Sequence, residues 1–303
     1  MTKEKFPALP YSEWHDTLDT LHLYAQIPGK IRLELAPRKN HWWFAMLYLT
    51  SRGYGTSPIP YKDRSFEIDF DFIDHKLIIR TSDGDISEFA LEDGLSVADF
   101  YNKIFTNLGD LDIDVDIIAK PYGVPMKEPF ASDTTHKSYD KEYVRRYWDI
   151  SRKIDAVFKE FSGRFRGKVS PVHLFWHSFD LAAARFSGKR LPETTEWDIV
   201  ARDAYSDEVI SAGFWPGDES APDAAFYSYT FPEPAGIQKE GLQPSSAIWT
   251  GEEGNSRAIL RYEDMRKEDN PEQALLDFLE SSYLAGAKLA GWDIENFKVR
   301  PLI

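Results

Sequence analysis

Hydrophobic positions recur along this chain with two periods, and the switches between them outline an architecture. Ser12 to Gln26 sets Trp14, Leu18, Leu21 and Ala25 on one helical stripe, and Pro28-Gly29 is expected to end that helix. Ser96 to Leu108 opens on a capping-box-like Ser96…Asp99 and carries Phe100, Tyr101, Ile104, Phe105 and Leu108 at helical spacing. Asp140 to Ser162 is the longest such run, with Tyr143, Val144, Tyr147, Trp148, Ile154, Val157, Phe158 and Phe161 on its stripe and Gly163 to stop it. A fourth helix is expected from Asn270-Pro271, a cap followed by a first-turn proline, through Leu275, Phe278 and Leu289 to Gly291.

Between the helices the period falls to two. Ser65 to Phe72 reads SFEIDFDF, with Phe66, Ile68, Phe70 and Phe72 facing one way and Glu67, Asp69 and Asp71 the other. Lys76 to Thr81 follows a tight turn, and Asp83-Gly84 marks a hairpin before Ile86 to Leu91. Further strands are expected at Ile31–Leu35, Trp42–Leu49, Asp112–Ile118, Val172–Phe179, Glu208–Phe214, Phe226–Phe231, Ala247–Thr250 and Arg257–Tyr262. Successive hairpins with few crossover helices predict an α+β fold of two mainly antiparallel sheets, each covered by helices.

The polar, aperiodic stretch Lys127 to Lys141 divides the chain into an N-terminal domain over 1–126, a linker over 127–141 and a C-terminal domain over 142–303. An internal echo raises the idea of a duplication. Ser57-Pro58-Ile59 precedes Ser65-Phe66-Glu67-Ile68 at the same spacing as Ser170-Pro171-Val172 precedes Ser178-Phe179-Asp180-Leu181. On that reading Glu67 and Asp180 hold equivalent positions.

Composition narrows the chemistry. The 303 residues include no cysteine, which removes disulfides, thiolate nucleophiles and cysteine-ligated metals. A net charge of -14 argues against broad binding to nucleic acid or anionic lipid, and no apolar run is long enough to span a bilayer. The opening residues show no apolar signal region, so a soluble, cytoplasmic protein of bacterial type is expected. There are 20 Phe, 15 Tyr and 9 Trp, enough rings to build both a core and a ligand-lining wall. No nucleotide-binding glycine motif and no GxSxG elbow is present, and the residues name no cofactor.

Candidate chemistry centres on Ser170 to Phe186. It places His173 and His177 beside Trp176, Ser178 and Asp180 in an apolar run. On a continuous strand the two histidines share a face but stand roughly 13 Å apart, so separately hydrogen-bonded core histidines are the simpler reading. His15, Asp19 and His22 fall at i, i+4 and i+7 on the first helix, a spacing that can present ligands to one metal ion. A polar helix edge explains them as well. Glu67, Asp69 and Asp71 form a carboxylate face that the neighbouring Lys76 and Arg80 are placed to neutralise.

Several phrases are distinctive: the segment 9–35, NHWW at 40–43, SPIPYKDRSFEIDFDF at 57–72, SPVHLFWHSFDLA at 170–182, YSDEVISAGFWPG at 205–217 and AFYSYTFPEP at 225–234. With these the chain resembles an uncharacterised bacterial family of unknown function over almost its whole length. The resemblance implies one full-length architecture and brings no activity or catalytic residue with it. The leading expectation is a small-molecule-binding protein with an aromatic-lined cleft between the two halves. Trp42, Trp43, Trp176, Trp215 and Tyr227 would form its walls, and His22, His173 and Asp180 its polar anchors, with Glu67 and His177 as further candidates. The alternatives are a hydrolase or isomerase using histidine and carboxylate, with or without a metal, and an oligomer-forming interaction protein. The sequence leaves the oligomeric state open.

Overall fold

The alternation of Ser65 to Phe72 builds the centre of the first sheet in the computed structural model, which describes residues 5–193 and 196–299. Strand β4 (Arg64–Asp71) buries Phe66, Ile68 and Phe70 on its core face and leaves Glu67 and Asp69 half-buried on the other. It pairs with β5 (Lys76–Thr81), and β5 pairs with β6 (Ile86–Ala90). Along its other side lie β2 (Gly53–Gly55) and β3 (Ile59–Tyr61), and beyond β2 the edge is β1 (Tyr48–Leu49).

The second sheet holds β7 (His173–Phe175), β8 (Asp180–Arg190), β9 (Asp207–Trp215), β10 (Ala225–Phe231), β11 (Ile248–Thr250) and β12 (Arg257–Arg261). Their order is β11-β12-β10-β9-β8-β7, antiparallel throughout. The two sheets touch edge to edge. Leu47, just before β1, and Leu174 in β7 exchange backbone hydrogen bonds of 3.2 and 2.8 Å.

Seven helices occur among the described residues: α1 (His15–Leu35), α2 (Val97–Asp110), α3 (Lys141–Gly163), α4 (Ile199–Ala204), α5 (Tyr262–Met265), α6 (Pro271–Leu289) and α7 (Ile294–Phe297). The expected caps are in place. Ser96 accepts from the Asp99 N–H, Asp140 from Glu142 and Tyr143, and Asn270 from Gln273. One hydrophobic cluster runs through both sheets, from Phe6 to Trp292. The segment 127–141 buries Phe130, Asp133 and Tyr139 and then supplies the α3 cap.

Four elements differ from the sequence reading. Helix α1 continues through Pro28-Gly29, so Ile31–Leu35 is helical and not a strand. Every residue from Leu23 to Arg32 is buried, and burial all round outweighs the hydrogen bond that proline removes. Of Trp42–Leu49, only Tyr48–Leu49 is a strand; Asn40–Trp42 is a 3-10 turn in which His41 and Trp42 take positive φ of 56° and 60°. Asp112–Ile118 is extended but unpaired in any sheet. Its alternation records burial alone, with Ile113 and Val115 inside and the Tyr61 hydroxyl bonded to the backbone of Asp114.

The run Val172–Phe179 is interrupted as well. Strand β7 stops at Phe175, and the chain turns through Trp176 to Phe179 before β8 begins. His173 and His177 therefore do not share one strand. The echo falls on hairpins of different register: Ile59 faces Phe66, whereas Phe175 faces Asp180. Glu67 sits mid-strand opposite Arg80 and Asp180 opens β8, so the two carboxylates are not equivalent.

Candidate functional site

Cross-strand register assembles the site. Opposed residues in antiparallel strands share a face, and so do residues two apart. Phe175 opposes Asp180, His173 opposes Ala182, Ala182 opposes Gly213, and Gly213 opposes Tyr227. His173, Phe175, Asp180, Gly213, Trp215 and Tyr227 thus lie on one face of the second sheet. The opposite face presents Leu174, Leu181, Phe214 and Phe226 to the core, each fully buried.

Gly213 explains how the face closes around Asp180. A Cβ at that position would lie 2.4 Å from the Cζ and hydroxyl of Tyr227, so the tyrosine ring lies directly over β9. Its hydroxyl thereby reaches across the sheet and donates to Asp180 Oδ2, while the Ser178 hydroxyl donates to Oδ1. Asp180 is 5% exposed, and two neutral donors hold its carboxylate. Burial beside this carboxylate pushes the Tyr227 phenol well above its usual range.

Histidines flank the carboxylate on the chain side. His173 donates from Nδ1 to the Pro171 carbonyl at 2.7 Å, which leaves Nε2 as an acceptor with no partner although buried. Burial lowers its pKa to about 4, against the opposing pull of Asp180. His177 is lowered by burial too, again with Asp180 opposing. Its ring lies 6.1 Å from that of Tyr122, and Gly123 approaches its backbone so closely that a Cβ would stand 2.9 Å from the carbonyl oxygen.

The turn itself is strained and tightly packed. Phe179, 1% exposed, takes φ 57°, a left-handed conformation that disfavours a bulky residue. Rings of His22, Tyr54 and Tyr147 surround it, with His22 at 5.2 Å. His22 also has a buried, unpartnered Nε2, and burial lowers its pKa to about 4. Trp176 anchors the start of the turn, donating from Nε1 to the Ala45 carbonyl at 2.8 Å with its ring pressed against Gly29 of α1.

The structure thus gathers His173, His177, Asp180, Trp215 and Tyr227 on or beside one sheet face, with His22 and Trp176 packed about the adjoining turn. Trp42 and Trp43 stand elsewhere. The indole of Trp42 bonds to the Val200 carbonyl at 3.1 Å, and Trp43 packs beside His41 and Phe186. Glu67 belongs to the first sheet with Arg80 and Asp69. His15 pairs with Asp16 at 3.1 Å, and burial raises the Asp19 pKa, with His136 and His15 opposing. Among the described residues no three His, Asp or Glu side chains form a group able to hold a metal ion.

One cluster was not singled out by the sequence. Lys168 donates to His41 Nε2 at 2.6 Å and to Asp207 at 2.5 Å, and lies over the rings of Phe186 and Trp43. The only sequence signal was the neighbourhood of His41 and Trp42; nothing in the spacing joins residues 41, 168 and 207. Where the sheets meet, a depression of about 330 Å³ is lined by Tyr48, Leu49, Asp155, Lys159, Ser170 and Val172, with Tyr48 its one aromatic ring.

No helix among the described residues is long and apolar enough to cross a membrane. No curated protein and no solved structure matches the chain. A family model does match, and it spans residues 6–299, so nearly every element described above falls within it. The chain belongs to the family of unknown function DUF5996.

Proposed function

We propose that this protein binds a small organic molecule on the outer face of its second sheet, with Asp180 as the polar anchor. The observation that carries this reading is the buried carboxylate held by two neutral hydroxyls, Ser178 and Tyr227, within a ring-lined face. A buried carboxylate without a cationic partner is costly, and a ligand donating hydrogen bonds or positive charge offsets that cost. Phe175, Trp215, Tyr227 and Tyr229 supply partly buried rings beside it, the last two stacked at 6.2 Å. The setting we propose is the bacterial cytoplasm, in keeping with a chain that has no cysteine.

The test is thermal unfolding of the full chain against a broad metabolite panel, with Asp180→Asn and Tyr227→Phe alongside. A ligand present at 100 times its Kd stabilises by about 2.7 kcal/mol, which is readily seen as a raised Tm. Hits that stabilise the parent and not the variants support the reading. A panel without a single saturable shift counts against it.

A second reading has one observation in its favour. His173 and His177 both feel the Asp180 carboxylate, an arrangement suited to proton transfer in a hydrolase or isomerase. Incubating panel hits with the protein and following product by mass spectrometry separates the two. Turnover abolished in Asp180→Asn supports the enzyme; unchanged ligand recovered from the complex supports binding alone.

A further inference from the structure

The depression where the sheets meet is lined by three separate stretches of chain. Asp155, Lys159 and Ser162 come from α3 at i, i+4 and i+7, a spacing that sets them on one face of the helix. Tyr48 comes from β1, and Ser170 and Val172 from the approach to β7. The volume of about 330 Å³ falls at the lower end of the range that small-molecule pockets occupy, about 300–1,000 Å³. No residue of the Asp180 face lines it.

The polar groups around it are only partly used within the protein. Asp155 is 9% exposed, yet its carboxylate accepts a single hydrogen bond among the described residues, at 2.6 Å into Oδ2 from Lys159, whose own side chain is 64% exposed. Oδ1 is left open on a buried carboxylate, and a buried acceptor without a partner is costly. Ser170, 2% exposed, is fixed to β8 twice over: its N–H donates to the Ala184 carbonyl and its hydroxyl oxygen accepts from the Ala184 N–H, both at 2.9 Å. Its hydroxyl proton goes to no acceptor among the described residues, and the Ser162 hydroxyl has no partner among them either. The Tyr48 hydroxyl is taken by the Trp43 carbonyl at 3.0 Å, so that residue lends the depression its ring, beside Leu49 and Val172.

We infer that this depression binds a neutral, polyhydroxylated molecule of monosaccharide size. Asp155 and Lys159 cancel each other's charge, so the site calls for neither an anion nor a cation. What stands unused is an acceptor on Asp155 and hydroxyls on Ser162 and Ser170, a mixture of acceptor and donors that ligand hydroxyls match in both senses. A sugar ring joins such a polar edge to an apolar C–H face, which Tyr48, Leu49 and Val172 are suited to receive. This site is independent of the Asp180 reading and shares no residue with it.

The experiment adds glucose, galactose, ribose and inositol to the full chain and reads saturation-transfer NMR and thermal unfolding. Asp155→Asn keeps the shape of the side chain and replaces one acceptor oxygen with a donor; Ser162→Trp fills the depression from the end of α3. At least one of the four compounds is expected to receive saturation from the parent and to raise its Tm saturably. Its affinity should fall at least tenfold in Asp155→Asn, and its contact should be lost in Ser162→Trp. Sugars and polyols excluded from a protein surface also raise Tm, but without saturating and in parent and variants alike. A rise of that kind alone overturns the site, as does a parent that transfers saturation to none of the four. Unaltered binding in either variant places the sugar elsewhere and overturns it too. Should Ser162→Trp not fold, the affinity of Asp155→Asn decides the matter.

Discussion

Lowering the pH from 7 to 5 tests the burial of His173 directly. The imidazole has a pKa of about 4 in the folded protein and about 6.5 in the unfolded chain. Between these values the unfolded chain binds a proton that the folded site rejects, so stability is complete above pH 6.5 and falls as the pH drops towards 4. At pH 5 the linkage relation gives a loss of about 2 kcal/mol from this one residue, with a limit of about 3 kcal/mol below pH 4. His173→Asn keeps a donor placed for the Pro171 carbonyl and removes the titrating ring. Urea unfolding followed by tryptophan fluorescence at pH 7 and pH 5 reads the effect. The parent's stability gap between the two pH values should exceed the variant's by about 2 kcal/mol. Equal gaps in the two proteins would show that His173 ionises in the folded state as freely as in water, and the buried site described above would be wrong.

Gly213→Ala should drive the Tyr227 ring off Asp180 and cost about 1–3 kcal/mol in urea unfolding, yet be nearly neutral in a Tyr227→Ala background. A full penalty in both backgrounds would break the link between the two residues. Gly29→Ala places a methyl 2.4 Å from the Trp176 ring; a chain whose Tm does not fall would contradict that packing. Burial, with Glu67 adding to it, pushes the Asp69 carboxyl up to about 6 despite Arg80. Carbon-detected NMR should find that midpoint, and Glu67→Gln should lower it. Glu280→Ala strands the Arg185 guanidinium and should destabilise by about 3–5 kcal/mol, whereas pairing it with Arg185→Met should recover part of the loss.

The elements that were legible in the sequence are those whose stability is local. The first sheet's β4–β6 meander follows from strict alternation and a tight hairpin turn, and the ends of α2, α3 and α6 follow from side chains that cap their own backbone. The end of helix α1 is not legible in the sequence because its continuation past Pro28 depends on what packs around it, and Gly29 is small for the sake of Trp176, a residue 147 positions away. The alternation of 112–118 does not imply a ladder, because periodicity reports burial and not pairing. Of the site, His173, His177, Asp180 and Trp176 were legible as an unusual cluster. Tyr227 was named for its ring, but its bond to Asp180 depends on register and on a glycine in the strand between them.

The Leu47–Leu174 contact has a consequence for association. This contact sets the β1 edge of the first sheet against the β7 edge of the second. Among the remaining outer strands, β6 and β11 each present an exposed isoleucine, Ile86 at 61% and Ile248 at 57%. Unpaired strand backbones template the addition of further strands, and hydrophobic side chains favour it. Loss of the junction would add β1 and β7 to the exposed edges at which chains can join. The backbone bonds between Leu47 and Leu174 therefore guard against aggregation as well as fixing the position of the two sheets.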